Sequence, residues 1–234
     1  MFQTVAIIHA RGGSKRLPGK NVRILGEKPL LAYPIELCRR ASFIERIIVS
    51  TDDDEIMAVA KEYGAEVPFR RPADIAEDVP SELVTEHALK FLRDEGQMPE
   101  FAVTLTPATP FTKLEDLRAA FELLLNHPDW DAVSAVRKAV EHPEWILREE
   151  GDSGRMETIF GNPLDGKYNV SQNLDQFYYP TGAFWINRAS NFLTKPSLYG
   201  NKWGAITIAG EATLDIDTPD QLQLANELIA RRST

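Results

Sequence analysis

Two short segments, near opposite ends of the chain, carry the residue types that handle phosphate. The first is His9-Ala10-Arg11-Gly12-Gly13-Ser14-Lys15-Arg16-Leu17-Pro18-Gly19-Lys20-Asn21. Gly12 and Gly13 lack a Cβ, so the backbone there can approach a ligand and aim successive N–H groups at it. Arg11 and Lys20 add fixed positive charge suited to a triphosphate. The segment has neither the G-K-[ST] ending of a P-loop nor the G-x-G-x-x-G spacing of a dinucleotide-binding turn. The second segment is Leu214-Asp215-Ile216-Asp217-Thr218. At a strand end, two carboxylates two residues apart can converge on one hard cation, which makes Asp215 and Asp217 candidate Mg²⁺ ligands. The competing assignment is structural, with Asp217 capping the last helix beside Thr218.

The overall charge balance frames the first segment. The 234 residues carry a net charge of −9, which argues against nucleic acid as the main partner. Yet Arg11, Lys15, Arg16, Lys20 and Arg23 follow one another with no acid between them. An acidic chain that keeps such an island concentrates it for an anionic ligand. No apolar run reaches the length of about 18 residues that a membrane span needs, so no membrane partner is expected. The N-terminus has neither a basic flank nor a small-residue cleavage site, so no secretory signal is expected. Cys38 is the only cysteine, in an apolar helical stretch, which fits a packed thiol in a reducing cytoplasm.

These segments need elements to hold them. Thr4 to Ile8 is an apolar run of the kind found in a central parallel strand buried on both faces. Strands are also expected at 46–50, 101–105, 131–136, 182–186 and 205–208. Helices are expected at 29–41, at 82–93 with Ser81 as cap, and from Pro219 to about Ala230 with Thr218 as cap. Two more carry apolar faces at Ile56, Val59, Ala60 and Tyr63, and at Leu114, Leu117, Phe121 and Leu124. Capping boxes are expected from Thr51 with Asp54 and from Thr112 with Glu115. Strand and helix alternate through residue 136, which calls for a mainly parallel sheet with helices on both faces and a site at the carboxyl ends of the strands. Residues 137–180, rich in Gly, Pro, Asn and aromatics, read as an arm or lid inserted between 1–136 and 181–234.

The loop at 9–21 resembles the N-terminal signature of the acylneuraminate cytidylyltransferases (CMP-sialic acid synthetases), close to A-R-x-x-S-K-x-[LI]-P-x-K-N. Ile48-Val49-Ser50-Thr51-Asp52 is similar to that family's I-V-S-T-D strand end. Arg71-Pro72-Ala73-Asp74-Ile75-Ala76-Glu77-Asp78 is similar to its R-P-A-x-L-A-x-D segment, and Leu214 to Thr218 to its I-D-I-D-T. The resemblance runs along nearly the whole chain. It implies a Rossmann-like three-layer α/β sandwich of the nucleotide-diphospho-sugar transferase type, with residues 137–180 as a protruding dimerisation arm and a homodimer as the working form. It also implies CTP as donor, held by Ala10, Arg11, Gly12, Gly13, Ser14, Lys20, Asn21, Arg71 and Ser81. Arg11, Lys20, Asp215 and Asp217 then serve catalysis, the two aspartates through Mg²⁺.

The acceptor half departs from the family. Where its members commonly place Q-P-T-S-P-x-R, this chain has Thr106-Pro107-Ala108-Thr109-Pro110-Phe111-Thr112. Ser171 and Tyr179 stand where arginines for the sugar carboxylate are expected. The acceptor is therefore read as an acidic 2-keto-3-deoxy sugar other than N-acetylneuraminate, such as a legionaminic, pseudaminic or Kdo-like acid. Thr106, Gln172, Asn173, Tyr178 and Tyr179 are its candidate contacts, with arm packing or a dimer interface the alternative for the last four. The expected reaction is in-line attack of the anomeric hydroxyl on the α-phosphorus of CTP, with loss of pyrophosphate. A nucleotide-sugar-dependent glycosyltransferase and a non-catalytic nucleotide-binding module are the competing readings.

Overall fold

The computed structural model describes residues 3–170, 172 and 174–232. Its centre is β1 (Thr4–His9), whose Thr4 to Ile8 side chains are all buried. Parallel neighbours flank it, β4 (Arg46–Ser50) on one side and β5 (Phe101–Leu105) on the other, with Ile7 level with both Ile48 and Thr104. The long strand β9 (Tyr178–Arg188) runs antiparallel beside β5, pairing Ile186 with Val103. With β6 (Ala132–Lys138) and β10 (Trp203–Thr207), the sheet order is β10-β6-β9-β5-β1-β4. The expected strands at 131–136, 182–186 and 205–208 are thus present with shifted ends, and β9 is twice as long as its apolar stretch suggests.

Alternate residues of β1 face opposite sides of the sheet, and each side has its own core. Ala6 and Ile8 pack with α1 (Ala32–Arg40), α2 (Asp54–Glu62) and α4 (Leu114–Leu125) through Ile35, Ile56 and Leu117. Val5 and Ile7 pack with α3 (Ser81–Asp94) and α5 (Ala189–Thr194) through Leu89, Leu92 and Phe192. The result is the three-layer α/β sandwich with a mainly parallel sheet. Cys38 is buried in the first core, and burial pushes its thiol up out of the titrating range. Among the described residues, no helix is long and apolar enough to cross a membrane.

The helix starts differ from expectation in four places. At α2 the cap is Asp53, which accepts from the Glu55 and Ile56 amides, rather than Thr51. Ser81 is the first residue of α3 and makes no capping bond, while the Thr112 hydroxyl donates to the Thr109 carbonyl and leaves α4 without a side-chain cap. The helix expected from Pro29 begins at Ala32, because Lys28–Pro29 (β3) pairs with Ile24–Leu25 (β2). The cap expected from Thr218 is present at α6 (Pro219–Arg232), where its hydroxyl accepts from the Gln221 amide at 3.3 Å.

The chain divides into two compact units, residues 1–135 with 181–234, and residues 136–180. The second contains a hairpin of β7 (Leu147–Glu149) and β8 (Met156–Thr158), and His142 Nε2 lies 2.7 Å from the Asp175 carbonyl. It also exposes large apolar side chains, among them Val140, Met156 and Phe160.

Candidate active site

At the carboxyl ends of β1, β4 and β5 lies a cleft of about 480 Å³. Its wall includes Arg11, Ser14, Lys15, Arg16, Lys20 and Asn21 of the loop after β1, and Arg71, Asp78 and Ser81 ahead of and at the start of α3. Thr106 after β5, Trp185 of β9, and Asp215 and Asp217 before α6 complete it. Residues separated by most of the chain length thus face one another.

A third apolar cluster explains how they meet. Leu17, from the tip of the basic loop, is buried with Leu25, Leu30, Ile216 and Ala225. Ile216 sits between the two aspartates, and its amide donates to the Ala108 carbonyl at 2.7 Å. At the other end of the loop, buried Asn21 donates from Nδ2 to the Arg11 carbonyl at 2.8 Å, and Gly19 takes the left-handed conformation (φ 67°) that starts the turn carrying Lys20. Lys20 Nζ then donates to Asp217 Oδ1 at 2.8 Å, and Arg16 Nη2 to Asp217 Oδ2 at 2.6 Å.

Asp217 is not the cap of α6. That role belongs to Thr218 and Gln221, whose Oε1 accepts from the Asp217 and Thr218 amides in return. The Asp217 carboxylate is left for the cleft.

The other expected residues separate into two groups. Ser14, Asn21, Arg71, Ser81 and Thr106 line the cleft together with Arg11 and Lys20. Ala10, Gly12 and Gly13 do not. Ala10 is fully buried in the first core, and its amide donates to the Ser50 carbonyl. The Gly12 amide is taken by Asp52 Oδ1 at 3.0 Å, and a Cβ there would fall 2.7 Å from Asp53 Oδ2. Gly12 is therefore needed for its fit against the α2 cap, whereas a Cβ at exposed Gly13 would meet nothing within 4 Å. Gln172 and Tyr178 are exposed in the unit 136–180, where the Arg137 guanidinium stands 5.1 Å from the Tyr179 ring. Asn173 and Ser171 lie outside the described residues.

The electrostatics follow from this packing. Burial alone would raise Asp217, but its bond from Lys20 and the Lys20 and Arg16 charges hold it below the usual carboxylate range. Asp215 moves the other way, raised by desolvation and by the Asp217 charge. Among the described residues Asp215 has no hydrogen-bond partner. Both carboxylates line the cleft, close enough for the Asp217 charge to raise Asp215, and such a pair could hold Mg²⁺, which characteristically takes one or two carboxylates and completes its shell with phosphate oxygens and water. No cluster of three or more His, Cys, Asp or Glu placed for a metal occurs among the described residues. Arg71, buried and bonded through Nε to Ser50 Oγ at 3.2 Å, is lowered to about 10 by burial, with Asp52 opposing and Arg11 adding to the shift.

Sequence reasoning gave Arg16 only a place in the basic island and assigned no role to Asp78 or His9, yet all three line the cleft. His9 Nε2 lies 2.9 Å from Thr85 Oγ1, itself 2.9 Å from Thr104 Oγ1. Burial, with the Arg71 charge nearby, pushes His9 down to about 3 from 6.5. The folded protein therefore refuses a proton that the unfolded chain accepts, so stability rises with pH between about 3 and 6.5 and is complete above that window. Between pH 7 and pH 5, wild type should lose up to about 2 kcal/mol more than His9→Gln, read from urea midpoints. Equal losses in the two proteins would show that His9 titrates normally.

Comparison with known proteins gives concordant results. The protein-family profile described as Cytidylyltransferase matches residues 5–151. The chain is 32% identical over 232 residues to CMP-N,N'-diacetyllegionaminic acid synthase of Legionella pneumophila, spanning 97% of both chains. It is 27% identical over 230 residues to pseudaminic acid cytidylyltransferase of Campylobacter jejuni, spanning 97% of this chain and 96% of that one. In fold it resembles CMP:2-keto-3-deoxy-manno-octonic acid synthetase complexed with CTP, at a TM-score of 0.72 and 15% identity, covering 98% of this chain and 99% of that one.

Proposed function

Because the chain belongs to the cytidylyltransferase family, we propose that it transfers CMP from CTP to the anomeric hydroxyl of an acidic 2-keto-3-deoxy sugar of the nonulosonic or Kdo-like class. The observation that carries this reading is the convergence of Lys20 and Arg16, from the loop after the first strand, on Asp217 at the far end of the chain. A cleft that assembles cations and carboxylates in this way suits a triphosphate and the divalent ion that accompanies it.

In this reading Arg11, Lys15, Arg16 and Lys20 hold the phosphates, while Arg71 and Ser81 face the nucleoside. Asp215 and Asp217 would hold Mg²⁺, which when bound supplies positive charge to the α-phosphoryl oxygen. The chain's own contribution is positioning and charge neutralisation, with no covalent intermediate. The anomeric oxygen bonds to the α-phosphorus as the bond to pyrophosphate breaks, and the hydroxyl proton leaves to solvent. Thr106 is the acceptor-side contact that the cleft itself supplies. The exposed apolar side chains of residues 136–180 form a surface suited to burial against a second copy, which supports a homodimer.

The test is pyrophosphate release from CTP and Mg²⁺ with a panel of purified 2-keto-3-deoxy sugar acids, repeated with UTP, GTP and ATP. The expected result is release with CTP and at least one nonulosonic or Kdo-like acid, and about 10²-fold less with the other nucleotides. Binding of CTP with no turnover across the panel would instead support a non-catalytic module.

A further inference from the structure

Four cations of the loop after β1 line the cleft, and each is already paired with a carboxylate. Arg16 and Lys20 share Asp217, which the proposed chemistry uses. Arg11 and Lys15 share Asp78, which that chemistry leaves without a part. Arg11 Nη2 is ion-paired with Asp78 Oδ1, and Lys15 Nζ lies 3.0 Å from Asp78 Oδ2. One carboxylate thus occupies, on both of its oxygens, donors that a phosphate would engage. The bridging also runs across the cleft, from the loop after β1 to the segment that leads into α3.

Burial decides what removing Asp78 would do. In a buried pair, deleting one partner strands the other charge in a poorly solvating medium. Here the side chains of Asp78 and Lys15 are 57% and 72% exposed, and that of Arg11 is 27% exposed. Exposed pairs of this kind are weak and exchange readily. A multiply charged phosphate can displace the single carboxylate, and the two cations remain solvated when it is gone. Lys15 is raised, first through its bond to Asp78, and Asp78 is lowered, first through the same bond, so the carboxylate stays ionised and competes as an anion.

Resting on the reading of the cleft as a CTP site, we infer that Asp78 is a built-in counter-anion that holds Arg11 and Lys15 between turnovers, yields them to the phosphates of CTP, and reclaims them as pyrophosphate leaves. Its consequence runs against the usual effect of removing a binding-site residue. The carboxylate weakens phosphate binding, and in doing so it eases product release.

The test is calorimetric titration of the full chain with inorganic pyrophosphate, CTP and cytidine, for wild type, Asp78→Asn and Asp78→Glu. Asp78→Asn is expected to bind pyrophosphate and CTP about three- to tenfold tighter, the effect of removing two exposed pairs. Cytidine, which has no phosphate, should bind all three proteins alike, and Asp78→Glu should stay near wild type. The gain should shrink as salt is raised, because exposed charges are screened. Equal or weaker pyrophosphate binding by Asp78→Asn would overturn the inference and make Asp78 a support that orients Arg11. A wild-type protein that binds neither CTP nor pyrophosphate would overturn the CTP-site reading itself, and this inference with it.

Discussion

Lys20→Ala is expected to lower kcat for pyrophosphate release by about 10²–10³-fold, with a much smaller change in KM for CTP. The size is that of removing one preorganised charged donor from a site where negative charge is redistributed during reaction. Lys20 is suited to this because its ammonium is mostly sheltered, with the side chain only 16% exposed, while Arg16 beside it is 69% exposed. A sheltered charge is less screened by solvent and salt, so it contributes more than its neighbour. Arg11, Lys15 and Arg16 remain in the variant to hold the triphosphate, which is why ground-state binding should largely survive. Lys20→Arg should not restore full turnover, since a planar fork does not replace a compact ammonium bonded to one oxygen of Asp217. The measurement is steady-state pyrophosphate release at saturating Mg²⁺, with thermal melting as a control. Turnover within threefold of wild type would remove Lys20 from the reaction.

The apolar frame of the fold was legible because burial on both faces leaves a plain mark. Thr4 to Ile8, Ile47 to Val49 and Phe101 to Leu105 are runs that solvent could not tolerate, and they became the central strands. Ends were harder to read, since they depend on which of several polar side chains reaches a free amide. Asp52, Asp53 and Asp54 follow one another, and only the backbone geometry decides that Asp53 caps α2 while Asp52 turns to the Gly12 amide. Gly12 was legible as a position of close approach, but what approaches it is Asp53.

The candidate site shows the same division. Residues within one segment, such as Arg11 and Lys20, could be grouped from their types and spacing, while Asn21 entered through the family resemblance. The choice between a cap and a cleft role for Asp217 could not, because it turns on whether Gln221 reaches back to the amides of Asp217 and Thr218. Asp78 was legible only as part of a motif. Its pairing with Arg11 and Lys15 is a tertiary event that no local pattern encodes. The neutral state of His9 likewise follows from burial and from the Arg71 guanidinium, which reaches the site from beyond β4.

Asp217→Ala is expected to be the most damaging single change, lowering kcat by about 10³-fold or more and abolishing the response of rate to added Mg²⁺. Besides its proposed role as a cation ligand, the carboxylate makes contacts that decide what its removal does. It does not cap α6, since Thr218 and Gln221 do so without it, so the helix should survive the substitution. It does pair with Lys20 and Arg16, and its removal frees both. Freed cations should bind the triphosphate at least as well as before, so CTP affinity measured without Mg²⁺ should be unchanged or tighter. The combination of retained nucleotide binding, retained fold and lost metal activation separates a ligand role from a structural one. Asp217→Asn is the stricter variant, because it keeps the shape and one oxygen donor but removes the charge that a divalent ion requires. If either variant kept the Mg²⁺ dependence of wild type, the metal would have to be held elsewhere. If both lost CTP binding along with activity, Asp217 would act by positioning Lys20 and Arg16 instead.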